Sequence, residues 1–507
     1  MNKSTLLLLA ALLLVPLASL TAAELKLASV FSDHMVLQRE APVPVWGTAT
    51  AGAQVTVEFA GQTKTVTADA TGKWLAKLDP LKASAEPREL KVGSLVIRDV
   101  LVGEVWLCSG QSNMEWALGR STGGTEAVAA SANPNLRLCT IPHNSQMTPQ
   151  EDVPTKWAVS GSDTTKYFSA IAWWFGSKLQ KELGVPVGII NDSFGGTIIQ
   201  SWMPLETLRN GPWPQDKATN IALSKADYDK RLAAIQPAMD TYLAEKAAAL
   251  KAKKTLPPFP AGWPGDFRGP SVLWNGMVAP LLKLRMRGVL WYQGESNGYP
   301  GVADTYGALL PAFIADWRTG FRQPDLPFLI FQISAYRKPQ TDPNEISGMA
   351  QLREAQLKTV QATSHTALVV TLDLGEPDVH YKNKEPAADR ALKAALALSY
   401  GRELDASGPI FKSSEIAGAK AILRFTHSNG GLVAKDGPLT GFVIAGEDRK
   451  FVFADARIEG DNVVVSSAQV TKPVAVRYGW ADLPKANLFN QAGLPASPFR
   501  TDTWEIK

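Results

Sequence analysis

Six stretches of this chain are apolar almost without interruption: Val100–Cys108, Leu136–Ile141, Val187–Ile190, Gly288–Tyr292, Phe328–Ile333 and Ala367–Leu372. A strand with one wet face alternates with period two; a strand that does not alternate is buried on both faces. Helical periods fill several of the intervals, at Tyr167–Leu183, Thr305–Phe321, Met349–Val360 and Ala387–Tyr400. Unalternating strands interleaved with helices predict an α/β fold, a parallel sheet in three layers with helices on both sides. Ligands of such sheets bind beyond the carboxyl ends of the strands, so those ends are where chemistry is sought.

The flanks have a different rhythm. Val55–Phe59, Lys64–Thr67 and Lys73–Lys77 alternate between Ala60-Gly61 and Thr71-Gly72 turns, which predicts an antiparallel β-domain over 24–98. The α/β region then spans 99–405, interrupted at about 204–270 by a long charged helix over Ala222–Lys254 and the proline-rich Leu256–Pro270. Alternation returns over 406–507, either as a sandwich of its own or packed with the N-terminal strands.

At the amino end, Lys3 precedes the leucine-rich Leu6–Leu20 and the small residues Thr21-Ala22-Ala23. That is the layout of a cleavable leader over 1–23, too short for a membrane span, and it predicts a periplasmic or secreted protein starting near Glu24. No later stretch reaches spanning length. A net charge of +4 without a basic cluster argues against nucleic acid as a partner. Cys108 and Cys139 both fall in strand-like segments and are either paired or buried as free thiols. Without CxxC, HxH or HExxH, and with His143, His365 and His427 at no ligand spacing, neither a metal nor an organic cofactor is expected. Asp33-His34, far from the other candidates, is read as structural. The 15 tryptophans suit sugar-stacking surfaces and apolar cores equally.

Four strand ends carry reactive residue types. The segment GEVWLCSGQSNMEW (Gly103–Trp116) ends a buried strand on Gln111, Ser112 and Asn113. Gly195-Gly196-Thr197 follows the third strand, Gln293-Gly294-Glu295-Ser296-Asn297 the fourth, and Asp378-Val379-His380 lies just past the last. Gly294–Gly298 also matches G-x-S-x-G, the nucleophile-elbow pattern, with Ser296 at its centre. Tyr299-Pro300-Gly301 does not open a helix as an elbow requires, and an acid two residues before the histidine is unusual for that fold. Ser296 is therefore set aside.

The blocks GQSNMEW, FGGTIIQSW, WYQGESN and DVH resemble the sialate O-acetylesterase family of SGNH-type hydrolases, as do the opening VFSDHMVLQREAPVPVWGTA and the closing AVRYGWADLPKANLFNQAGLPASPFRTDTW. The resemblance covers essentially the whole chain after the leader. It implies a flavodoxin-like SGNH domain and removal of O-acetyl groups from sugars. It makes Ser112 the nucleophile, His380 its base and Asp378 the residue that holds the imidazole. The oxyanion donors it implies are the Ser112 N–H, an N–H from Gly195 or Gly196, and the Gln293 amide, where the wider SGNH group has Asn. Asn113 is expected to tie the nucleophile loop or touch substrate, and Glu295 to orient Gln293 or a substrate hydroxyl. Asp378 beside His380 predicts an imidazole pKa at or above the usual ~6.5. Acetylated plant polysaccharide such as acetyl xylan is a second substrate class. A non-catalytic carbohydrate-binding protein on the same scaffold is the alternative of another kind, and a peptidase has no sequence support.

Overall fold

The computed structural model describes residues 24–213, 225–252, 254–255 and 267–506; the expected leader and parts of the expected insertion lie outside them. The α/β layer is a sheet ordered Trp157–Ser160, Asn133–Thr140, Val187–Ser193, Leu95–Gly110, Gly288–Tyr292, Phe328–Gln332, Thr366–Val370. All neighbours along this path are parallel except the edge strand Trp157–Ser160. Without the edge hairpin Asn133–Ser160, the five remaining strands, numbered along the chain, lie in the order 2-1-3-4-5. The connections leave the first strand in opposite directions, which opens a crevice between Leu95–Gly110 and Gly288–Tyr292 at their carboxyl ends.

Helices Ala170–Leu183 and Glu385–Tyr400 pack together, as do Tyr306–Gly320 and Gly348–Ala362. Right-handed crossovers put the two pairs on opposite faces. Trp106 packs on Phe175 and donates to Tyr400 on one side, while Trp291 packs on Phe313 and Trp317 on the other. No helix among the described residues is long and apolar enough to cross a membrane.

The domain boundary expected at 98 is corrected. Leu95–Gly110 is one strand of 16 residues. Its first half pairs with Val36–Gln38 and Ser84–Val92, and its second half is the centre of the α/β sheet. One apolar core therefore runs through both parts. At the junction the fully buried Glu104 carboxylate is held by Arg39 from the N-terminal part and Arg287 from the α/β layer.

The C-terminal strands have a separate core, so they do not join the N-terminal ones. Arg353 docks them. It is fully buried on helix Gly348–Ala362 and donates to the carbonyls of Ile333, Ser334, Ala481 and Asp482 at 2.7–3.0 Å. Cys108 and Cys139 are both buried and unpaired, on strands separated by Val187–Ser193. That placement rules out the disulfide alternative.

Candidate active site

The first strand must turn sharply at its end. Gly110 has φ +132°, and a Cβ there would lie 2.1 Å from the Tyr292 carbonyl, so only glycine fits. The Gln111 N–H donates to that carbonyl at 2.9 Å, and Ser112 opens the four-residue helix Ser112–Glu115. First-turn amides have no partner within their helix, which leaves the Ser112 N–H free at the crevice among the described residues.

Ser112 Oγ lies 2.8 Å from His380 Nε2 across 268 residues of chain. Ser296 instead sits on a short turn, its N–H given to the Gln111 side chain. The His380 ring is stacked on Trp116 at 5.1 Å, an indole whose place in its motif does not reveal this role. Asp378 departs from expectation. Its Oδ1 accepts the His380 backbone N–H at 2.9 Å and stands 3.7 Å from ring Nδ1, beyond hydrogen-bond length. The carboxylate is two-thirds exposed, 67%, so its pull on the imidazole is weakened by solvent. Burial, then the Lys384 ammonium, with Arg120 adding to them, hold the His380 pKa below its usual value against Asp378. The expected upward shift is thereby reversed.

Asn113 and Glu295 are both buried, and Asn113 ties the nucleophile loop to its neighbours. Asn113 Nδ2 donates to Glu295 Oε1 at 2.6 Å and to the Val379 carbonyl at 3.1 Å. Its Oδ1 accepts Lys384 Nζ at 2.5 Å. The residue after the nucleophile thus clamps the residue before the base. Burial raises the Glu295 carboxyl and brings the Lys384 ammonium down to about 7. Lys384 had no signal in the sequence; it lies four residues past His380 at the head of a helix.

The glycine loop also differs in detail. The Gly195 N–H is taken by Glu115 Oε2 at 2.6 Å, and a Cβ at Gly195 would approach Ser112 Cβ to 3.2 Å. Gly195 is therefore the close-approach residue. Gly196, at φ +76°, has the N–H without a partner among the described residues. Gln293 is fully buried, and its Nε2 is committed to the Thr197 carbonyl at 3.0 Å, Asn297 Oδ1 at 2.8 Å and Gln111 Oε1 at 3.2 Å. Its Oε1 accepts Tyr306 Oη at 2.9 Å. The Gln293 amide binds the loops to one another and is not presented to an oxyanion.

Glu115 receives His143 Nε2 on its other oxygen at 2.7 Å, and the His143 ring lies flat on Phe194 at 3.6 Å. Phe194 stacks in turn on Phe267, beside Arg268. Glu115 was legible, being three residues from Ser112 in the same block; His143 and Arg268 were not. Of the remaining histidines, His34 pairs with Asp99 and His365 faces Asp325, away from the site. No group of three or more His, Cys, Asp or Glu side chains able to hold a metal occurs among the described residues.

Residues 102–242 and 272–399 match the family model for carbohydrate esterases of the sialic acid-specific acetylesterase type. The sialate O-acetylesterase of Mus musculus is 27% identical over 94% of this chain and 94% of its own length. That of Homo sapiens is 28% identical over 94% and 92%. In three dimensions the chain is similar to a carbohydrate acetylesterase from Xanthomonas citri, with TM-score 0.80 and 34% identity, covering 94% of this chain and 100% of that one.

Proposed function

The chain belongs to the sialic acid-specific acetylesterase family of carbohydrate esterases, and from that premise we propose that it is an exported serine esterase removing O-acetyl groups from sugars, with O-acetylated sialic acids as the first class to assay. The observation that carries the reading is the 2.8 Å approach of Ser112 Oγ to His380 Nε2 at the strand ends. The strand order 2-1-3-4-5 is that of flavodoxin-like folds and supports an SGNH-type catalytic domain.

The geometry supports a two-step acyl transfer. His380 Nε2 takes the Ser112 proton as Oγ attacks the acetyl carbonyl carbon. The N–H groups of Ser112 and Gly196 receive the oxyanion that forms. The tetrahedral adduct collapses, the C–O bond to the sugar breaks, and His380 returns the proton to the departing sugar oxygen. A water, deprotonated by the same imidazole, then releases acetate from Ser112. Asp378 supports His380 through the backbone; a movement of about 1 Å brings its carboxylate to ring Nδ1, and such contacts commonly tighten only with substrate bound.

Ser112→Ala is expected to reduce hydrolysis of an aryl acetate by at least about 10³-fold with an unchanged circular dichroism spectrum. An active Ser112→Ala protein removes the proposal. Export belongs to the same reading: a mature amino terminus near residue 24 in the exported fraction is the expected result of amino-terminal sequencing.

A further inference from the structure

We infer that Arg268 reads a carboxylate on the substrate, so that the preferred O-acetylated sugar carries an acid group close to the ester. This rests on the esterase reading above and goes further by assigning a specificity-determining residue. Arg268 lies in the stretch between the two segments that match the family model, so the family motifs say nothing about it.

The guanidinium is fixed on two sides. Its Nε donates to the Gly196 carbonyl at 3.1 Å, and its carbon lies 5.2 Å from the centre of the Phe267 ring. Phe267 is held from behind by Phe194, His143 and Glu115 in sequence. An arginine anchored through Nε and stacked on an aromatic ring keeps its two terminal nitrogens as a pre-set fork, the geometry that matches a carboxylate. Here the fork has no carboxylate partner among the described residues, and the side chain is exposed. A Cβ on Gly196 would lie 3.6 Å from Nη2, which puts the fork beside the amide assigned to the oxyanion. On the other side of Ser112, Arg120 lies 5.5 Å over the Trp116 ring, also without a carboxylate partner among the described residues. Two acids lie nearby: Asp378 is exposed on the histidine loop on that opposite side, and Glu115, about two-thirds buried behind Gly195, has its two oxygens taken up by the Gly195 N–H and His143. An anionic sugar therefore meets a positive, pre-organised group on the oxyanion side of the serine.

The test compares an O-acetylated sialic acid with its carboxyl methyl ester, which keeps the acetyl group and loses the charge. The unaltered protein is expected to favour the acid in kcat/KM by about 10–100-fold, the usual range for a charge-assisted hydrogen-bonded pair. Arg268→Gln is expected to collapse that ratio to near one, and Arg268→Lys, which keeps the charge without the fork, to leave it in between. Equal use of acid and methyl ester by the unaltered protein overturns the inference, as does a preference that survives Arg268→Gln. Hydrolysis of 4-nitrophenyl acetate, run alongside, separates the two levels. A protein that cleaves the aryl ester and ignores the charge loses only this inference; one that cleaves no ester loses the esterase reading beneath it.

Discussion

At the scale of single residues, two titrations have opposite consequences. His380 acts as a base only when neutral, and burial together with Lys384 keeps it neutral to lower pH. The rate should therefore rise through an apparent pKa below ~6.5 and be nearly full at pH 7. Replacing Lys384 with Met should move that midpoint upward in a kcat/KM profile; a midpoint that stays put would mean Lys384 does not act on the imidazole. Asp192 concerns stability instead. It is fully buried, neither of its carboxyl oxygens has a hydrogen-bond partner among the described residues, and burial raises its pKa to about 8. The folded protein keeps a proton that the unfolded chain releases near ~3.9, so the contribution of Asp192 to stability is most favourable at low pH and is lost as pH climbs toward 8. Asp192→Asn keeps the shape without the ionisation. It should raise unfolding free energy at pH 7.5 by about 1–3 kcal/mol in urea titrations and flatten its change between pH 5.5 and 7.5.

At the scale of elements, the site is a meeting of loops at strand ends, and that much could be read from the chain. An apolar run that stops on Gln111-Ser112-Asn113 announces a strand end with chemistry on it. What the local pattern could not supply is where a polar side chain finds its partner. Gln293 and Glu295 look like loop residues free to meet substrate, yet both are buried, and their partners Thr197 and Asn113 lie 96 and 182 residues away. Asn113 ties the nucleophile helix to the histidine loop and to the Glu295 turn. Asn113→Ala should lower kcat by about 10–100-fold with little change in KM, because it loosens the Ser112–His380 geometry without removing a substrate contact. A rise in KM alone would return Asn113 to the substrate side. Arg353 does the corresponding work for the C-terminal sheets. Arg353→Met leaves the carbonyls of Ile333, Ser334 and Ala481 without donors, Asp482 keeping the Tyr336 N–H, and should cost about 3–5 kcal/mol, seen as early release of the C-terminal region in limited proteolysis.

At the scale of the whole molecule, the fold joins two regions of different sequence pattern. The composition shift near 98 is real, because the strands before it alternate and those after it do not. The backbone nevertheless crosses it within one strand, Leu95–Gly110, whose last residues position Ser112. A chain begun at Asp99 loses the beginning of that strand and everything paired with it, and should not give soluble enzyme. A folded, active product from that truncation would restore two independent domains. The two cysteines carry a further consequence of the same unity. Both thiols are shut inside the sheet, the Cys139 thiol pushed up to about 12 by burial, and nothing in the fold depends on oxidising them. They are a chemical clock for the opening of the interior. In native buffer an aromatic disulfide reagent should find no reactive thiol, after denaturation it should find two, and the slow reaction in between should keep time with the rate at which the sheet comes apart.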